Sequence, residues 1–199
     1  MFALLTGLGL TAAAGLNAYI PFLIVGLLDR FTTVIDLPAD YSWIGSWWAI
    51  GIATLLLISE VVLDKIPAVD SVNDMAGTII RPLTGGVIGA GVQASSQLDH
   101  SQFMQEHSWI GFVGGLVIAG IMHSGKTAVR PVANVSTGGI AAPVLSVTED
   151  LSSLLLSLAA VFIPILVVVI LALMAWAGYV LVRRIRRFTR RSRHAETLA

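Results

Sequence analysis

The chain has 199 residues, 56% of them hydrophobic and 12% charged, with a mean hydropathy of +0.85. Soluble domains carry about 25% charged residues, so this composition excludes the ordinary soluble classes and leaves a membrane-embedded one. The formal charge of zero hides an asymmetry: residues 183–199 hold seven Arg against Glu196, and the rest hold five bases against eleven acids, with no Cys for disulfides or thiolate metal sites.

Residues 2–28 are long enough to cross the roughly 30 Å hydrocarbon layer. They lack the basic leader of a secretory signal and read as a retained first span. Gly7, Thr11 and Gly15 make a small-residue stripe suited to close helix contact. Asn17 and Pro21 interrupt it, either as a kink with Asn17 bonded to neighbouring backbone or as a broken helix lining a polar cavity. The loop at 29–46 is acidic and is placed outside, with Tyr41, Trp43, Trp47 and Trp48 forming an interfacial belt. The second span, 47–63, ends with Glu60 and Asp64 one turn apart on one face.

The polar loop KIPAVDSVND leads to a third span at 75–94, with Asp70 or Ser71 as its cap, Pro82 as a kink and Gly85-x-x-x-Gly89 as a packing motif. Residues 95–107 carry acids and no Lys or Arg and are placed outside. The fourth span, 108–122, bears Gly111, Gly115 and Ala119, a stripe that His123 continues. A polar turn follows, then a short or broken crossing at 137–149. Ser146-x-x-Glu149 reads as a capping box. It opens a last helix at 151–182, roughly 48 Å long at 1.5 Å per residue, with Pro164 as a bend.

Six crossings from an inside N-terminus leave the Arg-rich tail inside, as the positive-inside rule requires. Five would need an external N-terminus and would put the acidic 29–46 loop inside. The expected fold is therefore all-α: a polytopic membrane helix bundle of about six crossings, broken or kinked, over 1–182, with a basic cytoplasmic tail at 183–199. An ungapped alignment of 48–82 with 109–143 pairs Trp48 with Trp109, Lys65 with Lys126, Asn73 with Asn134 and Pro82 with Pro143. These segments are candidate units of a two-helix direct repeat, a construction known in transporters.

Gly120 to Thr127 matches the P-loop pattern letter for letter, but a membrane helix precedes it where a buried strand is required, so it reads as coincidence. Capping and snorkelling explain about half of the acids Glu60, Asp64, Asp70, Asp74, Glu149 and Asp150. Glu60 resists that account. It lies inside an apolar run, where a charge costs up to about 2.5–3.5 kcal/mol, so it needs a wet cavity or a partner among Lys65, Lys126 and Arg130. His123 could shuttle protons or hold a metal, although a lone His is more often a satisfied interfacial residue. Ser136, Thr137 and Ser146 are nucleophiles without a base in view.

GLNAYIP, LPADYSWIGSWWA, EVVLDKIPAVDSVND, the Arg81-Pro82 pair and HSGKTAVRPVANVSTG through SVTED run in an order and spacing that resembles the domain-of-unknown-function 4126 family of small bacterial integral membrane proteins. The likeness covers nearly the whole chain and implies a membrane class without an activity. The Gly-rich STGGIAAP departs from it, which leaves the path of that segment open.

The leading functional expectation is a small-solute or ion transporter or channel of the bacterial cytoplasmic membrane. Its charged centre is built from Asn17, Glu60, Asp64, Lys65, Asp70, Asn73, His123, Lys126, Arg130, Asn134, Glu149 and Asp150. Glu60 would titrate or bind the ion, and Lys126 with Arg130 would be the counter-ions. The alternatives are a non-transporting scaffold or lipid-handling protein, and, ranked last, an intramembrane enzyme. No catalytic residue or cofactor is assigned, and a metal is left undecided. Expected partners are membrane lipids and a second copy through the Gly-rich faces, and not nucleic acid, since no folded domain accompanies the basic tail.

Overall fold

The computed structural model describes residues 2–64, 67–95, 102–137 and 141–196. Among them the chain is all-helical: α1 (Phe2–Leu16), α2 (Tyr19–Phe31), α3 (Trp47–Leu63), α4 (Pro67–Ala94), the short α5 (Gln102–Glu106), α6 (Ser108–Thr137), α7 (Ala141–Phe162) and α8 (Ile165–Glu196). Three helical stretches are long and apolar enough to cross a membrane: Asn73–Ala94, Ser108–Pro131 and Ala141–Phe162. Three shorter apolar ones, Ala3–Leu16, Trp47–Leu63 and Ile165–Val180, complete the bundle. Leu55, Ile58, Ile121, Leu155, Leu173 and Trp176 are more than half exposed. A surface this apolar suits hydrocarbon and not water.

The first half of α1 and α2 follows from the sequence. Leu10, Thr11, the Ala12–Ala14 run and Asn17 are all buried, because small side chains let α1 lie at the centre against α4, α6 and α7. Thr6 Oγ1 donates to Ala160 O at 2.8 Å, and Ser153 Oγ donates to Ala13 O at 3.0 Å, which ties α1 to α7. The loop after α2 is packed: Ile35 and Ile44 are fully buried, and the Arg30 guanidinium lies 4.1 Å over the Trp47 ring.

The largest helix pair is α4 against α6. Gly89 opposes Gly111, and Gly85 opposes Gly115, so the two helices run antiparallel at backbone contact. A Cβ on Gly89 would lie 3.3 Å from Gly115 Cα and closer still to Gly111 O, whereas one on Gly114 would meet nothing within 4 Å. We therefore expect Gly89→Leu to force the helices apart at a cost of about 1–3 kcal/mol. Gly114→Ala should be neutral or slightly stabilising. Thermal unfolding of the two purified variants checks the contrast.

The chain departs from expectation in three places. Lys126 to Asn134 is not a turn, because α6 continues unbroken to Thr137. The crossing expected at 137–149 and the helix expected at 151–182 are divided elsewhere. α7 spans Ala141–Phe162, and the chain breaks at Pro164 before α8, since Pro cannot donate to a preceding turn. Ser146 and Glu149 therefore lie within α7 and form no capping box. Third, α4 begins at Pro67, so Asp70 and Ser71 are inside the helix and do not cap it.

Candidate functional site

The interruption at Asn17 divides the first span into two helices. Asn17 Oδ1 accepts from Tyr19 N at 3.0 Å and from Ile20 N at 3.2 Å. The next residue is Pro21, which has no N–H to satisfy. Two orphan donors of the α2 start are thus satisfied by one side chain. The same amide uses Nδ2 to donate to Asp150 Oδ1 at 2.8 Å. On the α1 side, Leu16 O accepts from Lys126 Nζ at 3.3 Å, and Ser153 Oγ reaches Asn17 O at 3.4 Å. Helix break and charged residues form one structure.

Around that break, four helices bring their charges together at the end of the bundle opposite the Trp43–Trp48 loop. Glu60 and Asp64 come from α3, Asp74 and Arg81 from α4, His123, Lys126 and Arg130 from α6, and Glu149 and Asp150 from α7. Arg81 Nη2 donates to Glu60 Oε1 at 2.6 Å, and its Nη1 lies 3.3 Å from Asp74 Oδ1. Lys126 Nζ is 2.9 Å from Glu149, 3.6 Å from Asp74 and 3.8 Å from Asp64. Arg130 grips both oxygens of Glu149 and reaches Asp64 at 3.3 Å and Asp74 at 3.5 Å. Asn73 donates to Asp64 Oδ1. Asp64, Arg81 and Arg130 are 2% exposed or less. In such surroundings ion pairs are strong but their desolvation is costly.

Among the described residues this centre holds five carboxylates against three cations, so two negative charges are in excess. Glu60 Oε2 is buried without a hydrogen-bond partner. Among the described residues Asp150 takes a side-chain hydrogen bond from neutral Asn17 and stands in none of the ion pairs above.

His123, on α6, is tied to α4 through Arg81 and Thr78. Its Nδ1 lies 3.0 Å from Arg81 Nη1 and its Nε2 3.1 Å from Thr78 Oγ1. A guanidinium only donates, so Nδ1 accepts and the proton is on Nε2, directed to the threonine. With both ring nitrogens engaged, His123 has no lone pair for a metal in this arrangement. Among the described residues no group of three His, Asp or Glu is placed to hold one.

The structure gathers Asn17, Glu60, Asp64, Asn73, His123, Lys126, Arg130, Glu149 and Asp150 from the expected set. The side chains of Lys65, Asp70 and Asn134 lie outside the described residues. Glu60 pairs with Arg81 and not with Lys126 or Arg130, because α3 faces α4 at that level. Sequence reasoning left Arg81 and Asp74 out of the centre. A signal existed: Thr-x-x-Arg-Pro occurs at Thr78–Pro82 and again at Thr127–Pro131. Each places a central arginine one residue before an intrahelical proline. The GKT segment is helical and Lys126 is consumed by carboxylates, so no phosphate cradle exists there. Among the described residues Thr137 Oγ1 bonds backbone, to Ala133 O and from Ala141 N. Ser146 Oγ is buried without a partner.

Three cavities are lined by residues other than these ion pairs. One of about 270 Å³ lies along Gly7, Thr11, Gly111 and Gly115. One of about 570 Å³ lies by Asp29, Arg30 and Trp47. The third, about 240 Å³, opens between α2, α3 and α4.

Among protein families, the one described as Domain of unknown function (DUF4126) matches residues 4–184. No curated protein and no solved structure matches the chain.

Proposed function

The chain belongs to the DUF4126 family, and we propose that it is an ion-coupled membrane protein, a small transporter or channel seen closed. Protons or a small cation exchange at Glu60, whose Oε2 has no hydrogen-bond partner, and at Asp150. Lys126 and Arg130 act as fixed counter-ions. The observation that carries this reading is the charge imbalance beside a broken helix. Ionisable groups at membrane depth are costly and mark ion pathways, and interrupted helices place freed backbone at such sites. The protein lies in the bacterial cytoplasmic membrane with the tail from Arg183 onward inside, by the charge rule that orients short loops. Lipid is its constant partner. Self-association, with Gly85, Gly89, Gly111 and Gly115 occupied within the chain, would use open positions such as Gly51 and Gly114.

One observation favours a second reading, a scaffold that moves nothing. Glu60 is paired directly with Arg81, and the cavities described are lined elsewhere. Flux in proteoliposomes separates the two. Under an imposed pH or cation gradient, wild-type vesicles should outpace empty ones, and Glu60→Gln and Asp150→Asn should each slow the flux about tenfold. Wild-type vesicles no faster than empty ones for protons, Na⁺ and K⁺ would leave the scaffold.

A further inference from the structure

The cavity between α2, α3 and α4 has a chemistry that the ion-exchange reading does not use. Tyr19, Phe22, Trp43 and Trp48 form its aromatic side, with Ala53 of α3 and Thr84 of α4 opposite. The rings brace one another: Phe22 and Trp43 centroids are 5.8 Å apart, and Trp43 and Trp48 stack at 5.9 Å. At its inner end the cavity approaches charge. Glu60 follows Ala53 by seven residues, two turns along the same face of α3, and Arg81 precedes Thr84 by three on α4.

The polarity at that end is specific. Arg81 directs donors to Glu60 Oε1, Asp74 and His123. What remains unmatched is an acceptor, Glu60 Oε2, on a side chain only 5% exposed. A buried acceptor without a donor costs about 1–3 kcal/mol, which a ligand's ammonium group would recover as a charge-assisted hydrogen bond. Aromatic faces also attract such a cation on its way in. At about 240 Å³ the space admits a ring with a short chain and not a two-chain lipid.

We propose that this side cavity binds a small amphipathic amine, its apolar body among Phe22, Trp43 and Trp48 and its ammonium on Glu60. The site shares Glu60 with the transport reading but does not rest on it, because binding is measured without flux. The test titrates the full chain in a non-ionic detergent with 3-phenylpropylammonium and with neutral 3-phenylpropanol. Wild type should bind the ammonium about tenfold more tightly, the factor supplied by one charge-assisted hydrogen bond. Ala53→Phe should abolish binding of both, and Glu60→Gln should bring the two within about twofold. Equal affinities in wild type, or binding unchanged in Ala53→Phe, would overturn the site. Should Glu60→Gln fail to fold, the other two comparisons decide the question.

Discussion

Arg130→Met is expected to destabilise the protein by about 3–5 kcal/mol, the usual cost of stranding buried partners of a removed charge. Arg130 engages Asp64, Asp74 and Glu149, one carboxylate from each of α3, α4 and α7. Removing it leaves Asp64 and Glu149 to Lys126, while Asp74 keeps Lys126 and Arg81. At roughly 2–4 °C per kcal/mol the loss reads as a fall of roughly 6–20 °C in Tm. Adding Glu149→Gln should restore part of that loss, because the carboxylate most dependent on Arg130 is then gone. Arg30 is the control: it donates to Gly45 O and covers Trp47 near the first loop, and Arg30→Met should cost under about 1 kcal/mol. A melting point for Arg130→Met within about 2 °C of the parent would show that the ion pairs do not hold the helices together.

The second large effect is expected at Asn17. Its replacement by Leu removes the cap of α2, worth about 0.5–2 kcal/mol, and leaves Asp150 without its donor, at about 1–3 kcal/mol. The two losses occur at one side chain, so a total near 2–4 kcal/mol is expected from these ranges. Asn17→Asp distinguishes them. Aspartate caps a helix as well as asparagine does, but it sets a carboxylate against Asp150 where an amide donated before. That variant should be unstable at neutral pH and recover as the pH falls, since protonating one of the pair removes the repulsion and restores a donor. Leu at this position should recover less, since protonation relieves Asp150 but returns neither the cap nor a donor. Thermal melts of both variants across a pH series give the comparison.

What could be read from the sequence was whatever depends on one helix at a time. The apolar stretches marked the spans, and Glu60 stood out because nothing within α3 can neutralise it. Asn17 with Pro21 announced an interruption because both weaken a helix locally. Arg81 escaped notice because a proline beside it offered a sufficient local account of RPLTGG as a kink. Its role depends on α3 lying against α4, which no spacing within either helix encodes. The α7 boundary failed for a related reason. An acidic pair at 149–150 resembles a helix start only while its partners are unknown. Once Lys126 and Arg130 neutralise Glu149 and Asn17 holds Asp150, both can stand in mid-helix, and Pro164 sets the break instead. The antiparallel register of α4 and α6 rests on Gly85 and Gly89 meeting Gly115 and Gly111. Those glycines were visible, but which pairs would meet was not.

The distance in sequence between the charges of α3 and their partners has a consequence for how the chain is made. Glu60 waits 21 residues for Arg81, and Asp64 waits 66 for Arg130. At roughly 5–20 residues per second, the second wait is about 3–13 s. During that interval α3 carries an acid whose arginine has not yet left the ribosome. Its last turn therefore has reason to linger at the membrane surface, beside the insertion machinery, until α6 arrives. Assembly of this bundle then follows the order of its charges and not the order of its spans.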